Sequence, residues 1–200
     1  SDSIERLVLV EANPAALAVA AENLIRNHLS AKASFVWAFA SDTSSEHVTL
    51  WTVGTGAAGS RYQDHAKTAV RKGSSLAVTT VTLDSLSNLF DVVPDLVKID
   101  VEGAEHSVLL GCRNIAQVSH TRFLVEMHSN AEITMFENAA NVLRWCEDVG
   151  FQAWYLKEHS ALETPQQIQH RGRCHLMLQP RGSEFPAWLK SIQQSDELSG

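Results

Sequence analysis

Cysteine is scarce in this chain: Cys112, Cys146 and Cys174 are odd in number, far apart and never arranged as a C-x-x-C pair. That excludes a disulfide framework and a zinc knuckle, and it suits reduced thiols in a cytosol. Basic residues are also in short supply, 16 against 23 acidic ones, for a net charge of −7. Without a basic excess there is no counterion-release drive toward a polyanion, so nucleic acid is not expected as a partner. No apolar segment approaches the roughly 20 residues that cross a bilayer, and the amino end has no basic stretch followed by an apolar one. Neither a membrane span nor an export signal is expected, and there is no internal repeat or low-complexity segment.

The 200 residues, 44% of them apolar, suit one domain with a full core. Its organising stretch is Asp95 to Glu105. Leu96, Val97, Ile99 and Val101 read as a strand buried on both faces, Gly103 permits a sharp turn, and Ala104 to Leu110 reads as a helix that stops at Gly111. Strand, tight turn and helix in that order imply a parallel α/β sheet.

The same alternation recurs. Leu7 to Val10 forms another buried run ending in Glu11, and Asn13-Pro14 caps and opens a helix with Leu17, Ala20, Ala21, Leu24, Ile25 and His28 at helical spacing to about Leu29. His28 reads as a helix-end residue. Ala33 to Ala40 is a third strand, closing at Ser41-Asp42, and His47 to Val53 an alternating hairpin arm. A polar loop covers 54 to 75, Leu76 to Leu83 resumes a strand, and a short helix begins at Thr82-Leu83-Asp84. An excursion of this length, about 47 to 83, is more often functional than idle.

Arg122 to His128 gives a further buried strand. Its helix runs from Met135 to Val149, with Phe136, Ala139, Ala140, Leu143 and Cys146 on one stripe and Gly150 closing it. Phe151 to Leu156 and Cys174 to Leu178 read as antiparallel neighbours at one edge. The domain therefore spans 1–180, with a polar tail over 181–200 and a weak helix around Trp188.

Four strand ends are polar: Glu11, then Ser41 with Asp42, then Asp100 with Glu102, then Glu126 with His128. In a parallel sheet they are expected along one crevice beyond the carboxyl ends. A carboxylate closing the second strand of a nucleotide-binding unit accepts both ribose hydroxyls, and Glu11 fits that role. Several carboxylates also favour a cofactor with a sulfonium, S-adenosylmethionine, over a dinucleotide whose pyrophosphate they repel.

Three patches, in order, resemble the FkbM-type methyltransferases of the Rossmann-like, S-adenosylmethionine-dependent class. They are Val10-Glu11-Ala12-Asn13-Pro14, Thr82-Leu83-Asp84-Ser85-Leu86, and the stretch from Asp95 to Glu105 with Val108-Leu109-Leu110-Gly111 behind it. Phe123 to His128 matches as well, so the resemblance covers about residues 7 to 180. It implies a Rossmann-like, mostly parallel sheet with an antiparallel edge strand and helices on both faces, and methyl transfer to a hydroxyl of a small molecule or sugar. Glu11, with neighbouring Asn13, is then expected on the cofactor, Ser41 and Asp42 near its adenine, and Asp100 and Glu102 at its methionine end or facing the acceptor.

His128 is the first choice for a base that takes the acceptor's proton, because imidazole titrates near neutrality; Asp100 and Glu102 are the alternatives. Lys98 reads as an ion-pair partner. Asp100, Glu102, Glu126 and His128 offer ligand atoms for a divalent ion, but their spacing is no recognised metal motif and no metal is expected.

The family's glycine-rich turn, with the first strand and helix around it, would precede Leu7, and only six residues stand there. The expectation is a fragment of a longer protein, or a gap filled by another segment or by a second subunit in an oligomer. The rival function is a methyltransferase-like binding domain without catalysis. Gly54 to Gly59 spells G-x-G-x-x-G, but the polar segment after it is no buried helix, so a dinucleotide oxidoreductase ranks third. Trp51, Arg61, Tyr62 and His65 are expected on the acceptor side.

Overall fold

The computed structural model describes residues 4–52, 67–118 and 120–190. The chain falls into two compact units, Ser1–Thr82 and Leu83–Gly200.

The first unit contains β1 (Leu7–Glu11), α1 (Pro14–Arg26), β2 (Ala33–Trp37), β3 (Phe39–Ala40), β4 (His47–Trp51), α2 (Lys67–Arg71) and β5 (Ser75–Val81). Asn13 caps α1, its Oδ1 accepting from the Ala15 amide at 3.0 Å, and Pro14 supplies a pre-set first turn. The helix stops at Arg26, short of Leu29, and His28 turns the chain in the left-handed region at φ 58°. Strands β1 and β2 pair in parallel from Leu7 opposite Ala33 to Glu11 opposite Trp37.

The single strand expected over 33–40 is two, broken at Ala38. Phe39–Ala40 joins a different sheet, beside β5 in parallel, and β5 forms the expected antiparallel hairpin arm with β4. Part of the expected polar loop is the helix α2. The G-x-G-x-x-G segment, with Arg61, Tyr62 and His65, lies outside the described residues.

Expected burial fails in this unit. All five residues of β1 are half-buried, Ile25 is 60% exposed, and Phe35 and Trp37 are 37% and 55% exposed. Among the described residues β1 hydrogen-bonds to β2 alone, and a two-stranded ribbon under a single helix cannot cover both of its faces.

The second unit contains α3 (Leu83–Phe90), β6 (Leu96–Ile99), α4 (Glu105–Leu110), α5 (Arg113–Val118), β7 (Arg122–His128), α6 (Met135–Val149), β8 (Phe151–Tyr155), β9 (Ser160–Leu162) and β10 (Arg173–Pro180). Its sheet runs β6-β7-β10-β8-β9, parallel between β6 and β7 and antiparallel elsewhere. The mixed α/β class stands, and antiparallel pairing reaches well beyond an edge strand. Strands β8 and β10 pair as expected, but β10 lies inside the sheet and β9 forms the edge. Cys174, Leu176, Met177 and Leu178 are wholly buried, which suits an interior strand.

Phe123, Val125 and Met127 alternate onto one face of β7 and meet the apolar side of α6. Trp145 sits edge-on to Phe123 and Phe151, with ring centroids 5.5 Å away in both cases. The buried stripe of α6 is Met135, Asn138, Ala139, Val142, Trp145 and Cys146, rotated from the expected one, and Phe136 points outward at 40% exposure. Packing of the large indole sets that rotation. Strand β6 is less buried than expected, with Leu96 49% exposed and Val101 beyond the strand end, because β6 hydrogen-bonds only to β7 among the described residues. Past β10, Phe185 and Leu189 pack on Met177, so residues up to 190 add to the core where a polar tail was expected.

Candidate active site

The parallel register sets Ile99 opposite Val125, so Asp100 leaves β6 beside Glu126 of β7. On the other side of β7, antiparallel β10 brings His175 opposite Glu126 and Arg173 opposite His128. Sheet register alone thus gathers residues from three strands around Glu126.

Three basic side chains face Glu126. Lys98 Nζ lies 3.2 Å from its Oε2 and 3.4 Å from Asp100 Oδ2, His175 Nε2 lies 3.1 Å from Oε2, and Arg173 Nη1 lies 3.3 Å from Oε1. Lys98 is the ion-pair partner expected of it. Burial alone raises the Glu126 pKa, but the hydrogen bond from Lys98 and the charges of His175, Lys98 and His128 outweigh it and hold the carboxyl below its usual range.

His128 is buried, and both of its ring nitrogens face carboxylates. Nδ1 lies 2.9 Å from Glu105 Oε1, while Nε2 lies 3.6 Å from Glu126 Oε1 and 3.7 Å from Glu102 Oε2. Desolvation opposes charge on the ring. The hydrogen bond and charge of Glu105, with the charges of Glu102 and Asp100, prevail and raise its pKa.

Glu105 holds the imidazole, and it is wholly buried. Its Oε1 also accepts from the Gly103 amide at 2.9 Å, and its Oε2 accepts from Asn138 Nδ2 at 2.9 Å; that same amide donates to the His128 carbonyl. A carboxylate accepts only, so Nδ1 carries the proton and the neutral ring presents a lone pair at Nε2.

The turn that makes this possible has two left-handed residues, Glu102 at φ 53° and Gly103 at φ 101°. Glycine tolerates that conformation; for Glu102 it costs about 1–3 kcal/mol, held by the surrounding bonds. The turn folds the Gly103 amide back onto Glu105 and brings the Glu102 carboxylate toward His128.

The expected catalytic set, His128, Asp100 and Glu102, is therefore gathered in one place. Glu105 marks only the end of the organising stretch in the sequence reading, which singles out none of Asn138, Arg173 and His175. A polar Asn138 in the middle of the apolar stripe of α6 was the available signal. Asp100, Glu126 and His128 offer ligand atoms within 4.8 Å of one another, which would admit a divalent cation. Lys98 and Arg173 already pair with those carboxylates.

The other expected residues belong to the first unit. Glu11 Oε1 accepts from the Asn13 amide at 2.7 Å, and Oε2 has no partner among the described residues. Asn13 is buried and fully used, its Nδ2 donating to Thr52 Oγ1 at 2.8 Å while its Oδ1 caps α1. Ser41 is buried and donates through Oγ to exposed Asp42 at 2.9 Å.

Comparison with known proteins gives a coherent result. The model of the methyltransferase FkbM domain matches residues 1–153. The crystal structure of methyltransferase FkbM from Methylobacillus flagellatus KT is similar over 88% of this chain and 36% of its own, at 12% identity and a TM-score of 0.51. At that identity the likeness supports the fold alone, and this chain spans about a third of that protein's length. The search of curated proteins finds no match. Because the family model covers most of its length, the chain belongs to the FkbM methyltransferase domain family.

Proposed function

We propose that this chain serves S-adenosylmethionine-dependent methyl transfer to a hydroxyl oxygen of a small molecule or sugar. The observation that carries the reading is the His128–Glu105 pair, a buried imidazole oriented by a wholly buried carboxylate, with Nε2 left to accept a proton. A hydroxyl acceptor has such a proton to lose.

The residues fit the cofactor. In the first unit Glu11 has an oxygen without a partner among the described residues, suited to a ribose hydroxyl; in the second, Asp100 and Glu102 offer carboxylates suited to a sulfonium. When bound, the cofactor supplies an electrophilic methyl group. Glu105 keeps the proton on Nδ1, and Nε2 takes the acceptor's proton as the oxygen forms its new bond. Glu102 and Glu126 flank Nε2 and stabilise the imidazolium that results. Asn138 and the Gly103 amide fix Glu105 in place, so the ring need not reorganise during transfer.

No helix of the described residues is long and apolar enough to cross a membrane. Cys112, Cys146 and Cys174 are free, which supports a reducing compartment such as the cytoplasm, and burial pushes the thiols of Cys146 and Cys174 up to about 12, which makes them poor nucleophiles.

Calorimetric titration with S-adenosylmethionine and S-adenosylhomocysteine tests the reading. Micromolar binding that disappears in Glu11→Ala is expected, followed by methyl transfer in a screen of hydroxylated acceptors. Binding without transfer to any acceptor class would favour the non-catalytic binding domain, and no binding would overturn the cofactor assignment.

A further inference from the structure

We propose that Trp37 is the platform on which the cofactor's purine stacks, so that base selection lies in the first unit beside Glu11. This rests on the reading of Glu11 as the ribose contact and adds the residue that recognises the base.

Trp37 is the final residue of β2 and stands directly opposite Glu11, the final residue of β1. In a parallel pair, opposed residues project to the same face. Neighbouring strands lie about 4.8 Å apart, roughly the step from a ribose diol to its base. Both side chains are tied to the same short turn: Trp37 Nε1 donates to the Ala12 carbonyl at 2.9 Å, and Glu11 Oε1 accepts from the Asn13 amide at 2.7 Å. The indole is thus held by its own N–H with 55% of its surface exposed. Phe35, two residues earlier on the same face, is 37% exposed and extends the aromatic surface.

An indole whose only donor is already used recognises by its π-face. Stacking favours the larger ring system, so purine should be preferred to pyrimidine. The Glu11 carboxylate beside it repels a 5′-polyphosphate, so an adenosyl group without phosphates is preferred to a nucleoside triphosphate. Ser41 and Asp42, expected near the adenine, engage each other. Trp37 offers the larger surface for the base.

Calorimetry on the full chain with S-adenosylhomocysteine, adenosine, cytidine and adenosine triphosphate tests this. Trp37→Ala should weaken S-adenosylhomocysteine and adenosine by about tenfold or more, the usual scale of one base stack, and Trp37→Phe should recover most of the loss. Cytidine and the triphosphate should bind weakly to every variant. Adenosine should also quench a part of the tryptophan emission of the native chain that is missing from Trp37→Phe. An unchanged melting temperature would verify folding, as the exposure of this side chain leads one to expect.

Native affinity retained in Trp37→Ala would overturn the platform; if Glu11→Ala alone abolished binding, the cofactor reading would survive it. A native chain that binds none of the probes would overturn both.

Discussion

His128 and Glu105 form a unit whose behaviour depends on which partner is removed. His128→Ala deletes the proton acceptor and should cost about 10²–10⁴-fold in kcat while leaving cofactor affinity unchanged, measured by steady-state kinetics and calorimetry together. Glu105→Gln keeps the imidazole but removes the strongest influence raising its pKa. In the native chain the ring must be neutral to take a proton, so kcat should rise with pH through a midpoint above the ordinary imidazole value of about 6.5. In Glu105→Gln that midpoint should move to lower pH and the plateau should fall. An unshifted midpoint would mean that another group limits the rate.

The strand, turn and helix over Leu96 to Gly111 act as one device. Leu96–Ile99 fixes where Asp100 emerges, the left-handed turn folds back the Gly103 amide, and α4 begins with Glu105 already inside the core. The second family-like patch has a similar structural reason. Asp84, in the first turn of α3, accepts from the amides of Asn114 and Ile115 and so caps α5, while its own amide donates to the Gly111 carbonyl. At α6, Thr134 and Glu137 form a reciprocal capping box that starts the helix carrying Asn138. Thr134→Ala should cost about 1 kcal/mol of stability by chemical denaturation. Because the first turn of α6 positions Asn138, the same substitution should also lower kcat modestly.

Charge coupling across the sheet of the second unit should make stability depend on pH at two ends. Glu126 has a folded pKa below its ordinary value near 4.5, so its contribution is present above that value and is lost as pH falls through the lowered folded one. His128 has a folded pKa raised above about 6.5; its contribution is complete below that value and declines as pH rises through the raised one. The melting temperature of the chain should therefore be highest between roughly pH 4.5 and 6.5 and fall on either side. Glu126→Gln should remove the acid limb, and His128→Ala the alkaline decline. A flat profile in the native chain would contradict the ion-pair arrangement around Glu126.

Much of this protein follows directly from local sequence. Alternating apolar runs, Asn13-Pro14, Gly103 and Gly150 mark strands, helix starts and turns because each acts through its own backbone geometry or through neighbours a few residues away. The membership of His128, Asp100 and Glu102 in one cluster was legible for the same reason, since each closes or follows a strand. The burial of Glu105, the inward turn of Asn138 and the ring of Lys98, Arg173 and His175 around Glu126 were not. They depend on β10 returning between β7 and β8 and on Trp145 setting the rotation of α6, and both are contacts between residues far apart in the chain. Local pattern decides which residues form an element. Which polar group ends up enclosed, and with which partner, is set by packing and strand order, since only they determine where water is excluded.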